Sequence, residues 1–198
     1  MPEIIRTVAD IRALTKTWRL QCLKVGLVAT MGALHKGHLS LINHATSECD
    51  KVIVSIFANP KQFSAREDLE TYPRNEEQDL TALETFGVSI AYAPPVKEIY
   101  GEAFATRIEV GHLTECMCGI TRPGFFSGVA TVVAKLLNQC EPDRAYFGEK
   151  DYQQLLVIRQ LVKDLNIPSE IVGCPIIRDE NGLALSSRNT YLNDQQRQ

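Results

Sequence analysis

The chain has 198 residues, 44% hydrophobic and 23% charged, the balance of an ordinary globular protein. A chain this long buries roughly 70% of the surface it exposes when unfolded, so folding requires neither disulfides nor a structural metal. With a net charge of -3 it has no basic field for nucleic acid or an anionic membrane. No apolar run approaches the roughly 20 residues of a spanning helix, and the mixed segment 1–12 is not a signal peptide. The six cysteines are scattered without a framework, which places the expectation at reduced thiols and a cytoplasmic setting.

From the N-terminus, Thr7 precedes Val8, Ile11, Leu14 and Trp18 at helical spacing, with Asp10 three positions on, the pattern of a capped amphipathic helix. Residues 25–30 are a short apolar run and read as a buried strand; after Gly32, Leu39, Leu41, Ile42 and Ala45 predict a helix reaching Ser47. Residues 52–58 are nearly all apolar and largely β-branched, as a central parallel strand requires, and Asn59-Pro60 ends it. Polar sequence fills 64–77, a helix is predicted around 79–86, and a strand over 88–93 closes on Pro94-Pro95. Residues 96–124 are irregular, with short strands expected near 106–110. A helix over 128–139, a strand over 144–148, a helix over 152–165 and a last strand over 171–177 complete the chain. Strands alternating with helices predict an α/β fold, a doubly wound parallel sheet covered on both faces. Such sheets bind ligands at the carboxyl ends of their strands, so the chemistry is sought at strand-to-loop junctions.

The first junction carries Thr30, Met31, Gly32, His35, Gly37 and His38. Helix N-termini expose unpaired N–H groups and a partial positive charge that suit phosphate, imidazoles there can donate to phosphate oxygens, and the glycines let the backbone approach a ligand. An H-x-x-H pair alone is equally a pair of surface histidines in a turn; H-x-G-H directly after an apolar strand favours the ligand reading. The second junction is Phe147-Gly148-Glu149-Lys150-Asp151, where Lys150 offers a point charge with three donors and Asp151 is also a natural helix cap. The third, 182–189, offers Ser186, Ser187 and Arg188 as donors to phosphate oxygens. None is a Walker loop, and G-x-G-x-x-G is absent. His44 reads as a solvated helix residue, and His112 with Cys116 and Cys118 as a loop carrying small buried thiols, with a metal site the lesser alternative.

Together the three junctions resemble the histidine and serine/lysine signatures of class I nucleotidyltransferases, which include the class I aminoacyl-tRNA synthetases. The resemblance narrows to one family. Thr30-Met31-Gly32-Ala33-Leu34-His35-x-Gly37-His38-Leu39 and Ser55-Ile56-Phe57-x-Asn59-Pro60-x-Gln62-Phe63 are similar to the pantothenate synthetase family. So are Asp68-Leu69-x-x-Tyr72-Pro73-Arg74, the run from Pro142 through Asp151, and Leu185-Ser186-Ser187-Arg188-Asn189, in order over residues 25–192.

That resemblance implies ATP-dependent condensation of pantoate with β-alanine through pantoyl adenylate, releasing pyrophosphate and then AMP. It implies His38 as the catalytic histidine, with His35, Lys150, Ser186, Ser187 and Arg188 around the ATP phosphates. Met31, Gly32, Gly37, Gly148, Glu149, Asp151, Ile177 and Leu185 complete the expected ATP site, the adenine and ribose meeting main chain near Gly148, Ile177 and Leu185. Gln62 and Gln154 match the family's pantoate-binding glutamines, and Met31 and Phe63 offer an apolar wall for the gem-dimethyl group. Mg2+ is expected with ATP, held mainly by phosphates and water, with Asp79 and Asp151 as candidate carboxylates. The expected partners are pantoate, β-alanine and ATP, and the expected assembly is a homodimer, without nucleic acid or membrane. Two departures stand out: Ala29 where family members often have proline, a mild change, and Phe125 where they often have histidine, which cannot replace that side chain's hydrogen bonds. Residues 1–192 are expected to be the nucleotide-binding catalytic domain and 193–198 the start of a truncated C-terminal domain that in the family covers the active site. Two rival readings stand: another nucleotidyltransferase of this fold that stops after AMP transfer, and a nucleotide-binding fragment without full turnover.

Overall fold

Each long apolar run becomes a strand of one sheet, and each amphipathic run becomes a helix laid across it. The computed structural model describes residues 1–63 and 69–197; Asp68 of the third family block, with the stretch 64–68, lies outside them. The strands are β1 (Glu3–Ile5), β2 (Val25–Thr30), β3 (Lys51–Ile56), β4 (Ile90–Tyr92), β5 (Arg144–Gly148) and β6 (Glu170–Cys174). The helices are α1 (Val8–Leu20), α2 (Lys36–Glu48), α3 (Glu76–Glu84), the short α4 (Val96–Ile99) and α5 (Cys118–Thr121), α6 (Phe125–Cys140), α7 (Tyr152–Asp164) and α8 (Asp194–Arg197).

Among the described residues all five strand pairings are parallel, in the order β1-β4-β3-β2-β5-β6. From β2 the chain winds outward through β3 and β4, then returns to β5 on the other side of β2 and continues to β6. The switch point therefore falls between β2 and β5, where two loops leave neighbouring strands in opposite directions and open a crevice. One face of the sheet packs against α1, α6 and α7 through Ile11, Trp18, Val129, Leu155 and Ile158. The other packs against α2 and α3 through Leu41, Ile42, Ala45, Leu80 and Leu83. Side chains alternate between the faces along each strand, as in β3, where Ile53 faces the first cluster and Val52 and Val54 the second. Burying residues such as Leu27 and Ile53 completely stabilises the fold by roughly 1.5–3 kcal/mol each.

Three expectations are corrected. No strand forms over 106–110, because its backbone bonds to α6 side chains instead: Ile108 N–H donates to Thr131 Oγ1 at 3.1 Å, and Ser127 Oγ donates to the Ile108 carbonyl at 3.0 Å. β6 ends at Cys174 rather than at 177, since Pro175 has no N–H to continue the ladder. An edge strand missing from the sequence reading, β1, pairs with β4 alone. Helices α2, α3 and α6 begin three residues earlier than their apolar periodicity suggests, at Lys36, Glu76 and Phe125. In α3 the reason is a cap, Asn75, whose side chain accepts from Gln78 N–H.

Candidate active site

The loop after β2 is shaped by Thr30, whose hydroxyl donates to the Ser55 carbonyl at 2.7 Å and accepts from Gly32 N–H. Gly32 (φ 84°) and Ala33 (φ 51°) are both left-handed, turning the chain sharply before His35. His35 caps α2: its Nδ1 accepts from Gly37 N–H at 3.1 Å, while His38 Nδ1 accepts from His35 N–H at 3.4 Å. The H-x-G-H motif is thus a capping box built from imidazoles, a role usually played by Ser/Thr and Glu/Gln. Because each Nδ1 accepts, each proton sits on Nε2, so both rings offer a neutral N–H donor at their free edge. The two ring centroids are 4.0 Å apart. Burial, with His35 and Lys150 alongside, pushes the His38 imidazole down to about 3, and burial with Lys150 lowers that of His35. The histidines are therefore neutral donors rather than positive groups at neutral pH, and the basic side chains that share the cavity with them include Lys150 and Arg188.

These rings line a cavity of about 230 Å³ at the switch point. From β2 and α2 it takes Met31, His35, Gly37 and His38; from the end of β5 and the start of α7 it takes Gly148, Lys150, Asp151 and Gln154. Gln62 and Phe63 enter after β3, and Ile177, Leu185, Ser186, Ser187 and Arg188 enter after β6. Three residues of the sequence reading fall outside the lining: Gly32, Glu149 and Asp79. Gly32 acts through the backbone turn, and Glu149 is exposed. Asp79 is 3% exposed and gives both carboxylate oxygens to the loop, accepting from Ala33 N–H at 2.9 Å and Leu34 N–H at 2.7 Å, which leaves it no place as a Mg2+ carboxylate. Asp151 lines the cavity 3.4 Å from Lys150 and stands at the N-cap position of α7, as read, but its side chain makes no cap hydrogen bond to the helix.

The two serines differ. Ser186 caps the 3-10 turn 187–191 by accepting from Arg188 N–H at 3.3 Å, a bond that leaves its own proton for another acceptor. Ser187 donates to the Ala33 carbonyl at 3.1 Å and so ties this turn to the histidine loop. The Arg188 guanidinium lies 5.8 Å from the Phe63 ring centroid and 5.6 Å from that of Tyr72, whose rings meet edge to face.

Gln62 sits on a 3-10 turn, Pro60–Gln62, built on Asn59. Asn59 is 1% exposed and fully engaged: Nδ2 donates to Gln62 Oε1 at 3.0 Å and to the Gly128 carbonyl at 3.1 Å, and Oδ1 accepts from Lys61 N–H and Tyr100 OH. Gln62 Nε2 in turn donates to Met31 Sδ at 2.9 Å. Sequence reasoning gave Asn59 and Tyr72 no role although both stood in the matched blocks. It missed Arg122 altogether, a cavity residue that donates to the Gln62 carbonyl at 3.4 Å. The Arg122 guanidinium lies 3.7 Å above the Phe125 ring, so Phe125 forms apolar wall, in line with its reading as a side chain without hydrogen bonds to give. His44 is exposed on α2, as read. Cys116 and Cys118 are exposed, not the buried thiols of the sequence reading, and among the described residues they and His112 belong to no group of three metal-binding side chains.

Neutral N–H donors, one ammonium and two guanidinium groups gathered at the switch point of a doubly wound sheet define a nucleotide-handling α/β protein of nucleotidyltransferase type. The family model for pantoate-β-alanine ligase matches residues 3–198. A pantothenate synthetase of Alkalilimnicola ehrlichii is 55% identical over 199 aligned positions, spanning 100% of this chain and 69% of its own length. That of Roseobacter denitrificans is 53% identical over 194, spanning 98% and 68%. The crystal structure of pantothenate synthetase from Thermus thermophilus superposes with a TM-score of 0.93 at 50% identity, covering 98% of this chain and 69% of that one. A pantoate-β-alanine ligase from Francisella tularensis, solved in complex with β-γ ATP and β-alanine, gives 0.94 at 44% identity, covering 98% and 74%. The chain belongs to the pantoate–β-alanine ligase family.

Proposed function

We propose that the chain condenses pantoate with β-alanine at the expense of ATP, through a pantoyl-adenylate intermediate. The observation that carries this reading is the single cavity lined both by His35, His38, Lys150 and the 186–188 turn and by Gln62 and Gln154. The first set suits a polyphosphate and the second a hydroxy acid. In the first step a pantoate carboxylate oxygen attacks the α-phosphorus, the bond to the bridging oxygen breaks, and pyrophosphate leaves. Negative charge moves onto the leaving group, toward the Nε2–H edges of His35 and His38, Lys150, Ser186 and Arg188. Donors fixed before the reaction need no reorganisation and are worth roughly 3 kcal/mol each at comparable sites.

In the second step the β-alanine amine attacks the acyl carbon, loses a proton, and the carbon–oxygen bond to AMP breaks. Gln62 and Gln154 suit pantoate because amides hydrogen-bond without competing as nucleophiles, and Met31 and Phe63 provide apolar surface for its methyl groups. In this reading adenine and ribose meet the main chain at Gly148, Ile177 and Leu185, which line the cavity, while Gly32 and Glu149 stand outside its lining.

Mg2+ arriving with ATP would be held by phosphates and water, with Asp151 the carboxylate of the lining, and its chemistry would be to shield phosphate charge. We place the enzyme in the cytoplasm as a homodimer; among the described residues no helix is long and apolar enough to cross a membrane. The test is substrate dependence. Pyrophosphate should appear when pantoate and ATP are supplied, and AMP should follow only when β-alanine is added. AMP formation indifferent to β-alanine would instead mark an AMP-transferring enzyme, and ATP binding with no pyrophosphate a binding module.

A further inference from the structure

Asp79 reaches the histidine loop from α3, on a different segment of chain, and its contacts have the form of an anion held in a backbone nest. Consecutive N–H groups of Ala33 and Leu34 converge on one carboxylate at 2.9 and 2.7 Å. The turn that aims them there is unfavourable on its own, because Ala33 carries a Cβ at φ 51° directly after Gly32 at φ 84°. A Cβ on Gly32 would stand 3.0 Å from Asp79 Oδ2, so the carboxylate fills the space that the glycine leaves. On the opposite edge of the same turn, the Ala33 carbonyl accepts from Ser187. The segment between these two holds and the His35 cap is a single residue, Leu34.

We propose that Asp79 is the positioning residue of the phosphate end of the site: by holding Ala33 in its left-handed turn it sets the His35–His38 pair and the partner of Ser187 together. It touches no substrate and acts through the loop. Burial raises its carboxyl above the usual range while the Leu34 and Ala33 N–H groups pull it down, as fits a carboxylate kept for its hydrogen bonds rather than for solvent. The inference rests on the reading of this end as the ATP site, and the experiment separates the two.

ATP and pantoate affinities are measured by calorimetry on the whole chain, wild type and variants. Asp79→Asn keeps shape but turns an NH2 toward one of the two donors, and it should weaken ATP by at least about tenfold while pantoate binding stays within about twofold. Adding Ala33→Gly, which removes the Cβ that resists the turn, should recover roughly fivefold of the lost ATP affinity. A merely structural Asp79 would not be rescued from the loop. If Asp79→Asn does not fold, Ala33→Val perturbs the same turn without touching the α3 core and should show the same selective loss of ATP. Equal loss of both ligands, no loss of ATP, or an Ala33→Gly double variant no better than Asp79→Asn would overturn the proposal. Absence of ATP binding by the wild-type chain would sink the reading of the site, and the proposal with it.

Discussion

His35 and His38 spend their Nδ1 atoms on the backbone, and this fixes what they can do. Each presents only an N–H donor to the cavity, so neither serves as a general base from its free edge while the capping box is intact. His38→Ala should slow pantoate-dependent pyrophosphate release in a single turnover by about two orders of magnitude with the fold intact; an unchanged rate would remove His38 from the first step. The same burial has a cost in acid. An unfolded His38 takes up a proton below 6.5, whereas the folded one stays neutral to about 3, so the unfolded state binds more protons in between and stability falls with pH. Going from about pH 7 to 5 should cost roughly 2 kcal/mol through this residue, and His38→Gln should flatten that part of the dependence in urea unfolding. Equal slopes for the two proteins would show that His38 is not buried neutral.

Gln62 is the residue whose test is most selective. Its amide rests between Asn59 and Met31 and requires no charge change to accept a hydroxy acid. Gln62→Ala should weaken pantoate by about tenfold and ATP by less than about twofold, read by calorimetry; equal losses would move Gln62 out of the pantoate pocket.

Helix α6 places this glutamine through one close approach. A Cβ on Gly128 would collide with the Lys61 carbonyl, and Asn59 bonds to the Gly128 carbonyl from the same side. Gly128→Ala should therefore lower stability by about 1–3 kcal/mol in urea unfolding and weaken pantoate as the turn at 60–62 moves. Unchanged stability and affinity would show that the helix and turn can separate freely. The strong periodic elements were legible in sequence for a plain reason: α1, α7 and the central strands are specified by their own apolar spacing. What escaped was set by tertiary partners. β1 is three residues at an edge, too short for a pattern, and the 106–110 segment spends its hydrogen bonds on α6 rather than a strand. Within the site, charged and donor residues on the matched blocks were found, whereas Arg122 lies in an irregular segment with no periodicity and is recruited by Phe125 and Gln62 across the fold. Asp79 was visible as an acid but not as a loop anchor, because its partners lie more than 40 residues away.

The order β1-β4-β3-β2-β5-β6 is what joins these parts. Loops after β2, β3, β5 and β6 all open on the same edge of the sheet, so residues as distant as Met31 and Arg188 face one cavity. The chain spans 68–69% of the curated relatives' length, and within that span it carries both the donor set and the glutamines. A cavity that held only nucleotide would need no Gln62–Met31–Phe63 side. Attack of the pantoate carboxylate oxygen on the α-phosphorus would carry that oxygen into AMP, and isotope transfer reads it. Pantoate labelled with 18O in its carboxylate is incubated with ATP, β-alanine and the chain, and the products are weighed by mass spectrometry. One labelled oxygen should appear in AMP and none in pyrophosphate; AMP free of label, or ADP in place of AMP, would contradict the adenylate route.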